Sequence, residues 1–231
     1  MTQNWQAPQD MAFVIVDPQK DFCGGGKLAV PGGEEIIPLL NVLKPHFARA
    51  YLTKDWHPAG HSSFASAHPG KAPFDLIQAA YGEQRLWPDH CVQGTDGAEF
   101  HAAFKTGPDD LILHKGTDPK IDSYSAFFEN DRKTKPRFAD GQSFAEKLRQ
   151  DKITRVVFAG LAYDYCVGWN ALDAKAEGFD VIVIKDASRA ITKEGEAAMT
   201  AQLAAAGVKV VNTNDFPRVL SAPTCPSAPK P

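Results

Sequence analysis

Short apolar runs alternate with stretches of helical period along most of this chain. Met11, Ala12, Phe13, Val14, Ile15 and Val16 form an unbroken apolar run that reads as a buried strand. The next stretch, residues 34–49, places Ile36, Ile37, Leu39, Leu40 and Leu43 at helical spacing. Strand-like runs recur at 50–53, 111–113, 155–159, 181–184 and 208–211, which completes a set of six. Helical segments at 143–150, 166–177 and 193–206 lie between the later strands, with Gly178 and Gly207 placed as C-caps. Strand and helix in alternation predict an α/β fold of three layers, α/β/α, around a central six-stranded, mainly parallel sheet.

Two stretches depart from that alternation. Residues from about 55 to 106 form a long connection rich in His, Pro, Gly, Ser and Trp, and connections of that length inside compact domains usually carry function. This insertion is the expected place for a metal and substrate site within one domain spanning 1–220. Residues 221–231 are proline-rich and short of large apolar side chains, so a disordered tail is expected there.

Composition narrows the partners. With 231 residues and 43% hydrophobic content the chain can bury one substantial core, and no composition break argues for two. A net charge of -3 gives no electrostatic reason to expect nucleic acid or an anionic membrane. Small molecules are the expected ligands, and a homo-oligomer stays open. The N-terminus has neither a basic segment nor an apolar one, and no run approaches about 18 apolar residues, so a cytoplasmic protein is expected. Cys23, Cys91, Cys166 and Cys225 are widely spaced, include no CxxC pair and are expected as free thiols.

Cys166 carries the most chemical information. It follows the run that ends in Gly160 and Leu161 and opens a predicted helix, so its sulfur sits at the positive end of a helix dipole, which favours the thiolate. A lone buried cysteine is usually inert. Here Asp17, Asp55 and Lys115 also fall just beyond the carboxyl ends of predicted strands, the rim where open parallel sheets bind ligands. A second constellation is Asp55, His57 and His61, with His90 further along. Carboxylate and imidazole suit Zn, Mn or Fe, and Pro58 and Gly60 can turn the loop around one ion. The DxHxxxH spacing alone balances a metal site evenly against an ordinary polar loop, and His68, Asp75 and His101 are alternative ligands. His46 and His114 read as structural, and Cys91 as packing.

Six blocks in fixed order then carry a resemblance. They are Asp17-Pro18-Gln19-Lys20-Asp21-Phe22, the run from Asp55 to Phe64, the run from Trp87 to Thr95, Lys115-Gly116-Thr117, Asp122-Ser123-Tyr124-Ser125-Ala126-Phe127, and the run from Gly160 to Val167. Together they resemble the nicotinamidases of the isochorismatase-like cysteine hydrolase superfamily, over about residues 13–211. The resemblance implies hydrolysis of nicotinamide, and of the related pyrazinamide, to the acid and ammonia in NAD salvage. It implies a triad of Asp17 as proton acceptor, Lys115 as charge partner and Cys166 as a nucleophile that forms a thioester. It also implies oxyanion donors at Cys166 and Ala162, with a cis peptide between Leu161 and Ala162. One divalent metal ion, Zn first with Mn or Fe as alternatives, is implied on Asp55, His57, His61 and His90, facing the pyridine nitrogen. Phe22, Trp87 and Tyr124 would close on a flat ring.

Tyr163 departs from the pattern, since many relatives carry Thr there, and the oxyanion turn is expected to pack differently around it. Two other readings stay in play. One is a cysteine hydrolase of the same superfamily acting on a carbamoyl or ureido compound, which needs the triad but not the metal set. The other is a non-enzymatic metal-binding or redox-sensing protein.

Overall fold

The computed structural model describes residues 5–217. Residues 221–231, expected as a disordered tail, lie outside the described residues. In chain order the elements are β1 (Met11–Val16), α1 (Ile37–Leu43), β2 (Ala50–Asp55), β3 (Leu76–Ala79), β4 (Gly82–Arg85), β5 (Leu111–Lys115), α2 (Phe144–Gln150), β6 (Arg155–Leu161), α3 (Gly168–Ala176), β7 (Asp180–Arg189), α4 (Lys193–Ala205) and β8 (Lys209–Val211). Six strands form one sheet in the order β5-β2-β1-β6-β7-β8, and every neighbouring pair is parallel. The expected mainly parallel sheet is therefore parallel throughout.

The period of two along β1 sorts its side chains between two cores. Phe13 and Ile15 face a cluster with Ile37, Leu40, Leu43 and Leu52, while Ala12, Val14 and Val16 face Tyr51, Phe144, Leu148 and Leu203. Because both faces are covered, all six β1 residues are buried, which is why the strand reads as a solid apolar run rather than an alternating one. No helix of the described residues is long and apolar enough to cross a membrane.

Local chemistry sets the element ends. The helix expected over 34–49 contracts to α1, with 3-10 turns at Gly33–Ile36 and Lys44–His46 on either side. Pro45 has no N–H to continue the α-helical ladder, and the chain is extended again at Phe47. Helix α2 begins with a capping box, in which the Ser143 amide donates to Glu146 Oε2 at 2.8 Å. Helix α4 starts where the Thr192 hydroxyl accepts the Gly195 amide at 2.9 Å.

The hairpin of β3 and β4 was not legible as strands. It pairs only within itself, and Leu76 and Gln78 are exposed, so no apolar run marks it. At the centre of the main sheet, Gly160 of β6 has φ +132, and a Cβ there would lie 2.1 Å from the Val16 carbonyl oxygen. Only a residue without a side chain lets β6 lie this close to the end of β1. Gly160→Ala is expected to destabilise the fold by roughly 3 kcal/mol or more, seen as a lowered urea midpoint. An unchanged midpoint would mean that this contact does not constrain the sheet.

Candidate active site

The strand order places the reactive residues. β5, β2, β1 and β6 are neighbours, so the residues at their carboxyl ends must meet. Asp55 and Lys115 end β2 and β5 and are partners in register. Asp17 follows β1 with φ +47, and Cys166 lies in the π-helical turn Tyr163–Val167 after β6. All four are buried.

Lys115 is the hub. Its Nζ lies 2.9 Å from Asp17 Oδ2, forms a short ion pair with Asp55 Oδ1, and donates to Cys166 Sγ at 3.4 Å and to the Ser123 carbonyl at 3.2 Å. Asp17 is held from its other oxygen, which accepts the Thr53 hydroxyl at 2.5 Å. Burial pushes the Asp17 carboxyl up to about 6, against the pull of Lys115. Burial also raises the Cys166 thiol well above its ordinary range, with Lys115 working in the opposite direction. Lys115 itself is raised well above its usual value, because the two carboxylates outweigh the cost of burying its charge. The resting proton therefore sits on sulfur, beside a carboxylate able to take it.

Asp55 joins this group to a second one. Burial would raise its carboxyl, yet Lys115, His90 and His57 together hold it well below the ordinary range. Its Oδ2 lies 3.6 Å from His90 Nε2 and 3.9 Å from His57 Nε2. His57 Nδ1 lies 2.9 Å from the Gly116 carbonyl and His90 Nδ1 lies 2.8 Å from the Pro88 carbonyl. A carbonyl only accepts, so each Nδ1 carries a proton and each Nε2 is the nitrogen turned toward Asp55. Burial lowers His57 to about 4, which keeps its ring neutral. Ligand atoms of Asp55, His57 and His90 all lie within 4.8 Å of one another, a donor set that fits a divalent cation.

His61 stands outside that trio but forms a second group of close ligand atoms with His57 and Asp122, so His57 is common to both. The Nε2 of His61 lies 2.7 Å from the Asp118 carbonyl and its Nδ1 lies 2.8 Å from the Ser63 hydroxyl. The ring stays close, 4.5 Å from His57 between centroids. Of the alternative ligands, His68 bonds the Ser62 carbonyl, Asp75 accepts the Ala72 amide and His101 accepts the Ala103 amide, all within their own loops. His46 stacks on Trp5 and His114 on Trp56. Cys91 is buried, with its amide donating to Asp21.

A narrow cleft connects the two groups. Phe22, Trp87 and Tyr124 line it together with Ala162, Cys166, Asp55 and His90. The Leu161–Ala162 peptide is cis. Leu28, Asp122, Tyr165 and Ile191 also line the cleft; Asp122 and Tyr165 stand in two of the six sequence blocks without a role assigned from them. Tyr165 stands edge-on to Trp87 at 4.8 Å and to Tyr124 at 5.4 Å. Adjacency to Cys166 was the available signal for it; Leu28 and Ile191 carry none, being ordinary aliphatic residues. Tyr163 points away from the cleft, into the core beneath α4, where its hydroxyl meets Thr200 at 2.9 Å.

An isochorismatase domain matches residues 11–215 of this chain. The chain belongs to the isochorismatase family. Within the family it is 44% identical over 206 residues to a nicotinamidase of Acinetobacter baylyi, covering 89% of this chain and 94% of that protein. The solved nicotinamidase pyrazinamidase of Acinetobacter baumanii superposes with a TM-score of 0.84 at 42% identity, covering 90% of this chain and 99% of that one. A pyrazinamidase of Pyrococcus horikoshii, solved in complex with zinc, gives a TM-score of 0.71 at 35% identity, covering 88% and 99%.

Buried polar groups behind the site hold this family member's loops in place. Gln19 Nε2 donates to the Asp55 carbonyl at 2.8 Å, and its Oε1 accepts the Asp55 amide at 2.8 Å. Asp21 accepts the Cys91 amide at 2.7 Å, directly after His90. Glu129 is buried near Lys115 and Ser123, and burial raises its carboxyl from 4.5 to about 7. The folded state thus favours the protonated acid, so stability declines as pH rises from about 4.5 to about 7 and levels off above. Glu129→Gln, which cannot ionise, is expected to gain up to about 3 kcal/mol relative to the parent at pH 8 compared with pH 4. Urea midpoints at the two pH values check this; a difference independent of pH would contradict it.

Proposed function

We propose that this protein is a nicotinamidase, a metal-dependent amidohydrolase that converts nicotinamide to nicotinate and ammonia through a cysteine thioester. The observation that carries the reading is that Asp55 and Lys115 join the Cys166–Lys115–Asp17 group to the Asp55–His57–His90 group beside one cleft, whose wall includes Cys166, Asp55 and His90. A flat ring bearing a carboxamide at one position and a nitrogen at another would find a partner for each among the residues that line that cleft, Cys166 for the amide and His90 with Asp55 for the nitrogen through a bound ion. Pyrazinamide shares both features and is a second substrate. The nicotinamidase and pyrazinamidase relatives support the same substrate class, and the released nicotinate would re-enter NAD synthesis.

Asp55, His57 and His90 would hold one divalent ion, Zn by analogy with the zinc-bound relative, which supplies a Lewis-acid contact for the ring nitrogen. Phe22, Trp87 and Tyr124 flank the ring and exclude water. With the amide carbonyl over sulfur, Asp17 accepts the Cys166 proton while the Lys115 ammonium stabilises the thiolate. Sγ bonds to the carbonyl carbon, and the backbone N–H groups of Ala162 and Cys166 receive the oxyanion. The C–N bond then breaks as Asp17 returns its proton to the departing nitrogen, which leaves as ammonia. A water molecule, giving a proton to Asp17, attacks the thioester; the C–S bond breaks, nicotinate leaves, and the proton returns to sulfur.

Ammonia release from nicotinamide by the purified protein tests the reading directly. Turnover is expected to fall on exhaustive chelation and to recover with one of Zn, Mn or Fe. Cys166→Ala is expected to lose at least about a thousandfold in kcat while keeping its metal. An active Cys166→Ala variant would remove the nucleophile assignment. Full activity after complete metal removal, with nicotinamide a poor substrate, would point instead to a carbamoyl or ureido hydrolase.

A further inference from the structure

Gln84 lies on the small hairpin, outside every motif that carries the family resemblance, and yet it is buried at 2% exposure. Its neighbour Glu83 is exposed, so the strand turns one polar side chain outward and the other into the protein. A buried primary amide must find partners for two N–H groups and an oxygen. Gln84 finds them in the wall of the cleft. Nε2 donates to Asp122 Oδ2 at 2.7 Å and to the Arg85 carbonyl at 2.6 Å, and lies 3.4 Å from the Tyr124 hydroxyl; Oε1 accepts the Tyr81 hydroxyl at 3.0 Å and Asn130 Nδ2 at 3.2 Å. The carboxylate can only accept, which fixes the amide orientation.

These partners are themselves tied to the aromatic pocket. Asp122 Oδ2 also accepts the Trp87 indole N–H at 3.3 Å, and Asn130 Oδ1 accepts the Tyr124 amide at 3.2 Å. Tyr81 accepts the Asp122 amide at 3.3 Å while donating to Gln84. Asp122, Trp87 and Tyr124 all line the cleft, and Gln84 reaches both Asp122 and Tyr124 from behind it.

We propose that Gln84 is a positioning residue for ring binding: its amide locks Asp122, and through it Trp87, and through Asn130 the Tyr124 backbone, into the geometry that receives a flat heteroaromatic amide. The assignment rests on the nicotinamidase reading for the identity of the ligand. It acts on the pocket wall and not on Asp17, Lys115 or Cys166, which stand on other elements. Its loss weakens binding of substrate and transition state alike, so the effect falls on KM rather than kcat.

Steady-state kinetics on nicotinamide, nicotinate affinity by calorimetry and bound metal are compared for the parent, Gln84→Met, Tyr81→Phe and the double variant, all as holoenzyme. Gln84→Met keeps the length of the side chain and removes its hydrogen bonds. It is expected to raise KM about tenfold and weaken nicotinate binding by a similar factor, with kcat within about twofold and metal content unchanged. Tyr81→Phe, at a half-buried position, is expected to raise KM less, and the double variant to match Gln84→Met because both act through one network. An unchanged KM in Gln84→Met, a fall confined to kcat, or fully additive effects in the double variant would overturn the assignment. Should Gln84→Met fail to fold, an unchanged KM in Tyr81→Phe overturns it alone. Parent enzyme without turnover on nicotinamide overturns the nicotinamidase reading and this assignment together, whereas an active parent with an indifferent Gln84→Met overturns only the latter.

Discussion

A buried ammonium surrounded by acids is the constraint on which the rest of this structure depends. Lys115 has no solvent exposure, and a charge removed from water is tolerated only where opposite charge and hydrogen bonds meet it. Asp17 and Asp55 supply the charge, and the Ser123 carbonyl and the Cys166 sulfur take further contacts. Removing the lysine would leave two carboxylates buried together. The four neighbouring strands β5, β2, β1 and β6 must therefore end at one level, and the in-register pairing of Asp55 with Lys115 shows how closely that is met.

Asp55 carries the second consequence. One of its oxygens faces Lys115 while the other faces the imidazoles of His57 and His90, so a single carboxylate couples the nucleophile group to the candidate metal group. Backbone carbonyls of Gly116 and Pro88 set both imidazole tautomers, and Gln19 fixes the Asp55 main chain from behind. The loops that reach the site are thus held by buried polar groups with specific partners as well as by apolar packing, Phe64 lying against His57, His61 and His90. The hairpin extends the same logic outward, since its one inward amide reaches the wall of the cleft.

Much of the architecture was legible because it rests on periodicity. Continuous apolar runs marked the six central strands, and helical spacing marked α2, α3 and α4 to within a few residues. The expected helix over 34–49 reaches beyond Leu43, the last of its spaced apolar residues, whereas α1 ends there and Pro45, with no backbone donor, follows in a 3-10 turn. The β3–β4 hairpin was missed because its residues are mostly exposed and polar, held by pairing with each other rather than by a buried face.

The sequence by itself determined the kind of fold and the reactive atoms: a parallel sheet, and at its carboxyl rim a thiol, an ammonium, two carboxylates and nearby imidazoles. Those are properties of residue type and of position relative to apolar runs, which a linear reading retains. Tertiary structure alone decided which side chains share partners. His61 matches the spacing of a ligand, and the fold groups it with His57 and Asp122 rather than with Asp55 and His90, its nitrogens beside the Asp118 carbonyl and the Ser63 hydroxyl. Tyr163 sat beside the oxyanion turn in sequence, yet its ring packs into the core. Leu28, Ile191, Gln84 and Asp122 reach the cleft or its wall through contacts that span the chain. Hydrogen-bond direction and the choice among competing acceptors depend on where other loops lie, and residue spacing does not encode that.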